Sequence, residues 1–211
     1  DNGGLPGIKP ETVGGLRGNK GSIFEGGIRV PCIIEWEGHI EPDISNFPSS
    51  TMDIFPTILD LLNMPESYML QPVDGASIMP ILQNGKKQLR EKPIPFLFKK
   101  MGALVDNDYK LVATDIGKGT FELYNLKKDK TESKDISGRK PDKFRQMKGD
   151  FLIWKESVER SINGMDYPEK KVNANEPEIH FWKDDPRYDL FLKEYGDRPE
   201  YAGIKRKELQ K

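Results

Sequence analysis

The chain has 211 residues, of which 36% are hydrophobic and 32% are charged, and this length corresponds to one domain or a domain and a half. Its 33 basic and 34 acidic residues nearly cancel, which argues against a dedicated nucleic-acid-binding protein, because such proteins carry a basic excess. No stretch approaches the roughly 18 consecutive apolar residues of a membrane span. A single cysteine, Cys32, excludes a disulfide within the chain.

The N-terminal segment is dense in glycine, since nine of the 20 glycines lie in residues 1–27. Glycine at this density supplies backbone freedom and little packing, so the segment is predicted to be rich in loops. The chain opens on Asp1-Asn2-Gly3-Gly4 without an initiator methionine. Because a domain rarely begins in its densest loop, we expect the chain to be a fragment of a longer protein.

Residues 28–36 form a short, nearly continuous apolar run. Such a run predicts a mostly buried strand in a sheet that is covered on both faces, with Cys32 as a small core residue. Farther along, the spacing of Ser50 and Asp53 has the form of a capping box ahead of an amphipathic helix over about 51–63. A second, shorter helix is predicted over 76–82.

The second half of the chain has the pattern of strands followed by one long helix. Short β-rich runs separated by turn residues predict an antiparallel meander; they cover residues 94–98, 103–105, 109–112 and 121–124. Apolar residues then recur every three or four positions, which predicts a helix over about 141–163 that lies across the small sheet and ends at Gly164. The apolar positions of this helix are Phe144, Met147, Phe151, Trp154, Val158 and Ile162.

The chain is predicted to have three parts. Residues 1–90 form the first, residues 91–164 form a subdomain of sheet and helix, and residues 165–211 form an irregular extension rich in aromatic and charged side chains. The aromatic residues of the extension indicate that it packs onto the body of the protein.

Two groups near the N-terminus have the chemistry of a binding site. Asp1 and Asn2 offer a carboxylate and an amide oxygen, a pair of hard ligands suited to Ca²⁺ or Mg²⁺. The same residues also favour a simple turn before glycine. Lys20 stands between glycines that allow close approach of a ligand, and its compact ammonium suits a sulfate or phosphate oxygen. A solvated surface lysine is the alternative interpretation.

Several blocks in a fixed order extend this pattern along the chain. They are Asp1-Asn2-Gly3; Leu16-Arg17-Gly18-x-Lys20-Gly21; Glu25-Gly26-Gly27-x-Arg29-Val30-Pro31; Ser50-Thr51-x-Asp53-Ile54-Phe55-Pro56-Thr57; Asp74-Gly75-x-Ser77; Tyr109-Lys110-Leu111; and Glu122-Leu123-Tyr124-Asn125-Leu126 followed by Thr131-Glu132. Their order and spacing resemble the C-terminal part of type I sulfatases over about residues 1–136. Residues 165–211 carry no comparable match.

The resemblance implies an α/β fold: the C-terminal part of an alkaline-phosphatase-like sulfatase domain, followed by a small four-stranded antiparallel sheet with a packed C-terminal helix. Sulfatases hydrolyse sulfate esters with a formylglycine made from a Cys or Ser in a Cys/Ser-x-Pro-x-Arg motif. They hold a divalent cation, usually Ca²⁺, with Mg²⁺ possible. By the same resemblance, Asp1 and Asn2 correspond to two metal ligands and Lys20 to the sulfate-binding lysine, while Arg17 is a candidate substrate contact.

The chain also departs from the family pattern. Neither Cys32 nor any serine stands in Cys/Ser-x-Pro-x-Arg, so the nucleophile is expected upstream of this chain, and the chain alone is expected to be inactive. His39 is predicted to lie on the surface, and no role is assigned to His180. Glu25 and Arg29 are expected to form an ion pair.

Three functions stay open on the sequence alone. The first is a sulfatase fragment acting on an aryl or carbohydrate sulfate ester. The second is a phosphate or phosphonate monoester hydrolase of the same superfamily. The third is a non-catalytic binding module, an interpretation that gains if the N-terminal pair and Lys20 do not converge. The resemblance further implies a periplasmic, extracellular or lysosomal location.

Overall fold

The computed structural model describes residues 2–7, 12–84, 89–172 and 185–191. The chain forms two units, Asp1–Val172 and Asn173–Lys211. The first and second predicted parts both lie in the first unit, and the boundary at residue 90 stays a prediction.

The second unit is described only over residues 185–191. A short 3₁₀ helix, Pro186–Tyr188, begins where the carboxylate of Asp185 accepts a hydrogen bond from the amide of Arg187. His180 and most of the predicted extension lie outside the described residues.

The N-terminal part is built from short helices joined by loops. Three α-helices are described: α1 over Glu25–Ile28, α2 over Ile54–Leu61 and α3 over Met79–Asn84. Single 3₁₀ turns cover Thr51–Asp53 and Glu66–Tyr68. The helices predicted over 51–63 and 76–82 are confirmed, although α3 begins three residues late.

The predicted capping box is present at the entry to α2. The carboxylate of Asp53 accepts a hydrogen bond from the Ser50 amide at 2.8 Å, and the Ser50 hydroxyl accepts one from the Met52 amide at 3.4 Å. Asp53 also forms a fully buried bidentate ion pair with Arg90, with nitrogen–oxygen distances of 2.7 and 2.8 Å. The start of α2 is thereby fixed to the segment that leads into the sheet.

The predicted meander is confirmed as one four-stranded antiparallel sheet in the order β1-β2-β3-β4. Its strands are Ile94–Phe98, Met101–Asp106, Tyr109–Asp115 and Thr120–Asn125. Because side chains alternate between the faces of a strand, the register places Leu104, Leu111 and Leu123 on one face. It places Lys110 opposite Tyr124 on the other.

Helix α4, Pro141–Ile162, packs on the leucine face of the sheet, as predicted. Met147 and Phe151 are fully buried there. Gly102 makes this contact possible, because a Cβ at that position would lie 2.2 Å from the Phe151 ring. The chain leaves the helix at Gly164, which has a positive φ of 80°. No helix in the described ranges is long and apolar enough to cross a membrane.

The opposite face of the sheet is covered by the N-terminal part of the chain. Ile23 is buried against Ala103, Val112 and Tyr124, and Phe24 packs at the edge of this cluster. The sheet therefore lies between α4 and the glycine-rich segment that contains Lys20.

The prediction of a buried strand over 28–36 is wrong. Helix α1 ends at Ile28, no regular structure follows to Trp36, and Ile33 is 93% exposed. Cys32 is also exposed and is therefore not a core residue. A strand needs a neighbour to complete its backbone hydrogen bonds, and in the described ranges β1 to β4 pair only with one another. His39 is exposed, as predicted, and stacks on Trp36.

Candidate active site

Lys20 lies in a closed loop of residues 17–27, here called the Lys20 loop. The amide of Gly26 donates to the carbonyl of Arg17 at 2.8 Å and closes the base of the loop. Gly18 and Gly21 have positive φ values of 78° and 91°, a conformation that glycine adopts without strain. The exposed Lys20 lies between these two glycines near the tip of the loop.

The segment after Asn2 runs alongside the Lys20 loop. The Lys20 amide donates to the Gly4 carbonyl at 2.9 Å, and the Gly3 amide donates to the Gly27 carbonyl at 2.9 Å. A Cβ on Gly3 would lie 1.9 Å from the Gly26 carbonyl oxygen, so only glycine permits this approach. The structure thus brings the backbone beside Asn2 to the Lys20 loop. Asp1 lies outside the described residues.

Arg17 starts the Lys20 loop and contacts the β3–β4 side of the sheet. Its Nη1 donates to the Tyr124 hydroxyl at 3.0 Å and to the Glu132 carbonyl at 2.7 Å. The guanidinium carbon lies 3.8 Å from the centroid of the Phe24 ring, within the range of a cation–π contact. The substrate contact predicted for Arg17 stays a prediction, and these contacts give the same side chain a role within the fold.

Glu25 lies near the end of the Lys20 loop and reaches a buried charge cluster. The Lys110 Nζ lies 2.9 Å from Glu25 Oε1 and 2.8 Å from Glu132 Oε1. The first contact is a hydrogen bond, whereas the second is an ion pair without hydrogen-bond geometry. Glu132 Oε2 accepts from the Glu25 amide at 2.7 Å. The predicted pair of Glu25 with Arg29 also exists, but at 3.9 Å it is the looser contact.

The electrostatics of this cluster follow from its burial. Lys110 and Glu132 have fully buried side chains. Burial raises the pKa of Glu132, while Lys110 and the Glu25 amide act in the opposite direction. Burial, followed by the hydrogen bond to Glu122, raises the pKa of Tyr124 to about 12. Tyr124 therefore stays protonated at neutral pH, donates to Glu122 at 2.7 Å and accepts from Arg17.

Lys110 and Glu132 were not among the site residues predicted from the sequence. Both residues stand in the blocks that resemble sulfatases, and Lys110 sits directly before the apolar run of Leu111 and Val112. A lysine within an apolar strand signals that an acidic partner lies nearby, because an unpaired buried charge is costly. The identity of that partner was hidden, since Glu25 lies 85 positions away.

The described residues fit a divalent cation in part. The amide oxygen of Asn2 is a suitable hard ligand, whereas Ca²⁺ takes about 6–8 oxygen ligands. In the ranges that the structure describes, no group of three His, Cys, Asp or Glu side chains could hold a metal. Asn2 alone does not complete such a site, and the second predicted ligand, Asp1, lies outside the described residues.

Residues 18–149 match the family described as N-sulphoglucosamine sulphohydrolase, C-terminal. Among curated proteins, mouse steryl-sulfatase is 35% identical over 97 residues, which are 44% of this chain and 15% of that protein. A Formosa agariphila sulfatase is 29% identical, covering 67% of this chain and 28% of the relative. Human arylsulfatase A is 35% identical over 90 residues, which are 39% of this chain and 17% of that protein. The chain therefore spans less than a third of the length of these relatives.

Solved structures give the same result for the fold. The crystal structure of Ps i-CgsB has a TM-score of 0.60 and 23% identity, covering 80% of this chain and 41% of that chain. A sulfatase structure from work on glycosaminoglycan metabolism by Bacteroides thetaiotaomicron has a TM-score of 0.54 and 23% identity. The match covers 69% of this chain and 32% of that chain. With the family match, these likenesses confirm the C-terminal part of an alkaline-phosphatase-like sulfatase domain with its small sheet and packed helix.

Proposed function

Since the chain belongs to the N-sulphoglucosamine sulphohydrolase C-terminal family, we propose that it forms the C-terminal part of a metal-assisted sulfuric ester hydrolase. The observation that carries this proposal is the joining of two segments: the Lys20 amide donates to Gly4, two residues beyond Asn2. A sulfate group held by a lysine and a cation requires this adjacency. A binding module in which residues 1–90 were mere framework would not require it.

Lys20 binds the sulfate group in this proposal. Its ammonium supplies a compact positive charge, and the closed loop holds the lysine backbone in place before substrate arrives. A preplaced charge of this kind stabilises the negative charge that grows on the sulfuryl oxygens in the transition state. Asp1 and Asn2 would hold the divalent cation, proposed as Ca²⁺ with Mg²⁺ as the alternative, which polarises a sulfuryl oxygen when bound.

The nucleophile lies in another part of the complete protein. The sequence contains no Cys/Ser-x-Pro-x-Arg motif, and the exposed Cys32 follows a proline in a different context. The relatives are several times longer than the matched segment. We therefore expect the isolated chain to hydrolyse no sulfate ester.

Exposed apolar side chains support the proposal that another part of the protein packs against the N-terminal part. Ile33 and Ile34 are exposed, as are Ile54 and Phe55 at the start of α2. Exposed large apolar side chains such as these suit a protein partner. In the proposed function, the remaining part of the sulfatase domain covers them.

The proposed substrate class is an aryl or carbohydrate sulfate ester. The relative named arylsulfatase A favours the first type. A structural neighbour was solved in complex with k-i-k-neocarrahexaose, and this complex supports a carbohydrate sulfate as the second type. By family resemblance, the proposed location is periplasmic, extracellular or lysosomal.

The role of Lys20 is tested by turnover of 4-nitrophenyl sulfate by the complete protein. The variant Lys20→Ala is expected to lower kcat/KM by about 10²–10³-fold, the typical cost of losing one group that stabilises transition-state charge. Lys118→Ala is the matched control, because Lys118 is also exposed and lies between two glycines. It is expected to leave turnover unchanged.

Unchanged turnover in Lys20→Ala would contradict the proposed role. Faster turnover of 4-nitrophenyl phosphate than of the sulfate would instead favour the monoester hydrolase.

A further inference from the structure

The sheet contacts the Lys20 loop near both of its ends. At the first end, Arg17 Nη1 donates to the Tyr124 hydroxyl and the Glu132 carbonyl. At the second end, the Glu25 carboxylate meets Lys110, and the Glu25 amide donates to the Glu132 carboxylate. Lys20 lies in the stretch between these two anchors.

Glu132 joins both anchors within one residue. Its backbone carbonyl accepts a hydrogen bond from the Arg17 guanidinium. Its carboxylate accepts one from the Glu25 amide and forms an ion pair with Lys110. The residue has a positive φ of 51°, an uncommon conformation for a non-glycine residue that the surrounding contacts must maintain. Glu132 is therefore held in one geometry in which both ends of the loop are fixed together.

The charges of the cluster interact chiefly with one another and little with solvent. Two carboxylates, Glu25 and Glu132, share the single ammonium of Lys110, and the side chains of Glu132 and Lys110 are inaccessible to water. Interactions between such buried charges are screened very little. A displacement of the loop would separate Glu25 from Lys110, so the cluster resists that displacement.

We propose that Glu132, Lys110 and Tyr124 are positioning residues for Lys20, and that Arg17 acts with them. The C-terminal sheet holds the Lys20 loop in the shape that presents the ammonium to the sulfate group. This inference rests on the proposed sulfate-binding role of Lys20. It gives the sheet a part in the reaction beyond the stability of the fold.

The competing account is that the cluster stabilises the fold alone. The Asp53–Arg90 pair provides the matched control, because it is equally buried and equally short but joins α2 to the segment before β1. Breaking either pair removes a buried ionic contact. Only the cluster of Glu25, Lys110 and Glu132 lies against the Lys20 loop.

The experiment compares three variants of the complete protein: Glu132→Ala, Tyr124→Phe and the control Arg90→Met. Tyr124→Phe keeps the ring and removes only the hydroxyl that accepts from Arg17, so it is the conservative variant. Hydrogen exchange is measured for the amides of Lys20, Gly26 and Gly27, which donate within and beside the loop. Glu132→Ala and Tyr124→Phe are expected to speed this exchange by about tenfold or more, as in local opening, and Arg90→Met is expected to leave it unchanged.

The inhibition constant of inorganic sulfate gives the second measurement. It does not depend on the fraction of enzyme that is folded, so loss of stability alone does not change it. We expect a rise of about tenfold in Glu132→Ala and Tyr124→Phe, since each removes a hydrogen bond or charge contact that fixes the loop, and no change in Arg90→Met.

Unchanged exchange or an unchanged inhibition constant in the two variants overturns the inference, as does an equal effect in Arg90→Met. If the complete protein turns over no sulfate ester at all, the proposed function fails, while the exchange measurement still decides whether the sheet fixes the loop.

Discussion

The two regions of the first unit differ in how completely they bury their apolar side chains. Between the sheet and α4, Leu104, Leu111, Leu123, Met147 and Phe151 are almost entirely inaccessible. In the N-terminal part, large apolar residues of α2 and of the segment before it remain exposed. The sheet and helix therefore form a complete core from their own residues, whereas the N-terminal part presents surfaces that suit a neighbour.

The Lys20 loop lies where these two regions meet. It belongs by sequence to the incomplete region, yet its anchors, Lys110, Tyr124 and Glu132, belong to the complete one or to the segment directly after it. A well-folded sheet can thus hold one edge of a site whose other residues come from elsewhere. This difference between the regions leads to predictions that can be measured separately.

The largest expected effect is in the sheet and helix core. Phe151→Ala removes a fully buried ring that packs over Gly102 and is expected to lower the free energy of unfolding by about 3–5 kcal/mol. Ile153→Ala, in the same helix but exposed, is expected to change it by less than about 0.5 kcal/mol. Urea denaturation of both variants measures the difference. Equal losses would show that α4 is not packed on the sheet as described.

A smaller effect is expected from Asp135, next to the sheet. Burial acts to raise the pKa of Asp135, but hydrogen bonds from the amides of Leu123 and Ser137 outweigh it and hold the pKa below its ordinary value of 3.8. A carboxylate with a lowered pKa stabilises the fold above the unfolded-state pKa and loses that contribution as the pH falls through the folded-state pKa. Asp135→Asn keeps an oxygen acceptor and removes the charge.

We therefore expect Asp135→Asn to lower the free energy of unfolding at neutral pH by less than about 1 kcal/mol, because Asp135 is exposed and solvent screens its charge. The difference from the parent should shrink as the pH falls below about 4, where the carboxyl becomes protonated. Thermal unfolding at a series of pH values checks this. A stability difference that grows toward low pH would contradict the assigned direction of the pKa shift.

In the isolated chain, the smallest expected effect concerns Ile33 in the incomplete region. Because its side chain is almost fully exposed, Ile33→Ser in the isolated chain is expected to change the free energy of unfolding by less than about 0.5 kcal/mol. In the complete protein, where the proposed neighbour covers this segment, the loss is expected to exceed about 1 kcal/mol. The same small effect in both proteins would contradict the proposed covering.

The predictions from sequence succeeded where short-range patterns decide the structure. The short β-rich runs of the meander, the three-to-four-residue spacing of α4 and the Ser50–Asp53 capping box all depend on neighbouring residues. The stop at Gly164 depends on the backbone of one residue. Such features are specified locally, so the sequence contains enough information to place them.

The predictions failed or stopped where distant segments decide the structure. The apolar run over 28–36 has the composition of a strand, but β structure requires a paired neighbour that the described residues do not provide. The buried charge cluster joins Glu25 to Lys110, which are 85 positions apart. No local sequence pattern encodes such a contact. The approach of the segment after Asn2 to the Lys20 loop was expected from family resemblance, and the backbone hydrogen bonds of Gly3 and Gly4 that join the two are seen only in the structure.

The central claim is that Lys20 binds the sulfate group beside a cation held with Asn2. A crystal structure of the complete protein with bound inorganic sulfate tests this most directly. The account predicts a sulfate oxygen about 3 Å from the Lys20 Nζ, with the Asn2 amide oxygen on a cation that touches the same anion. A sulfate bound away from Lys20, or a Lys20 ammonium directed into solvent beside an occupied site, would contradict it.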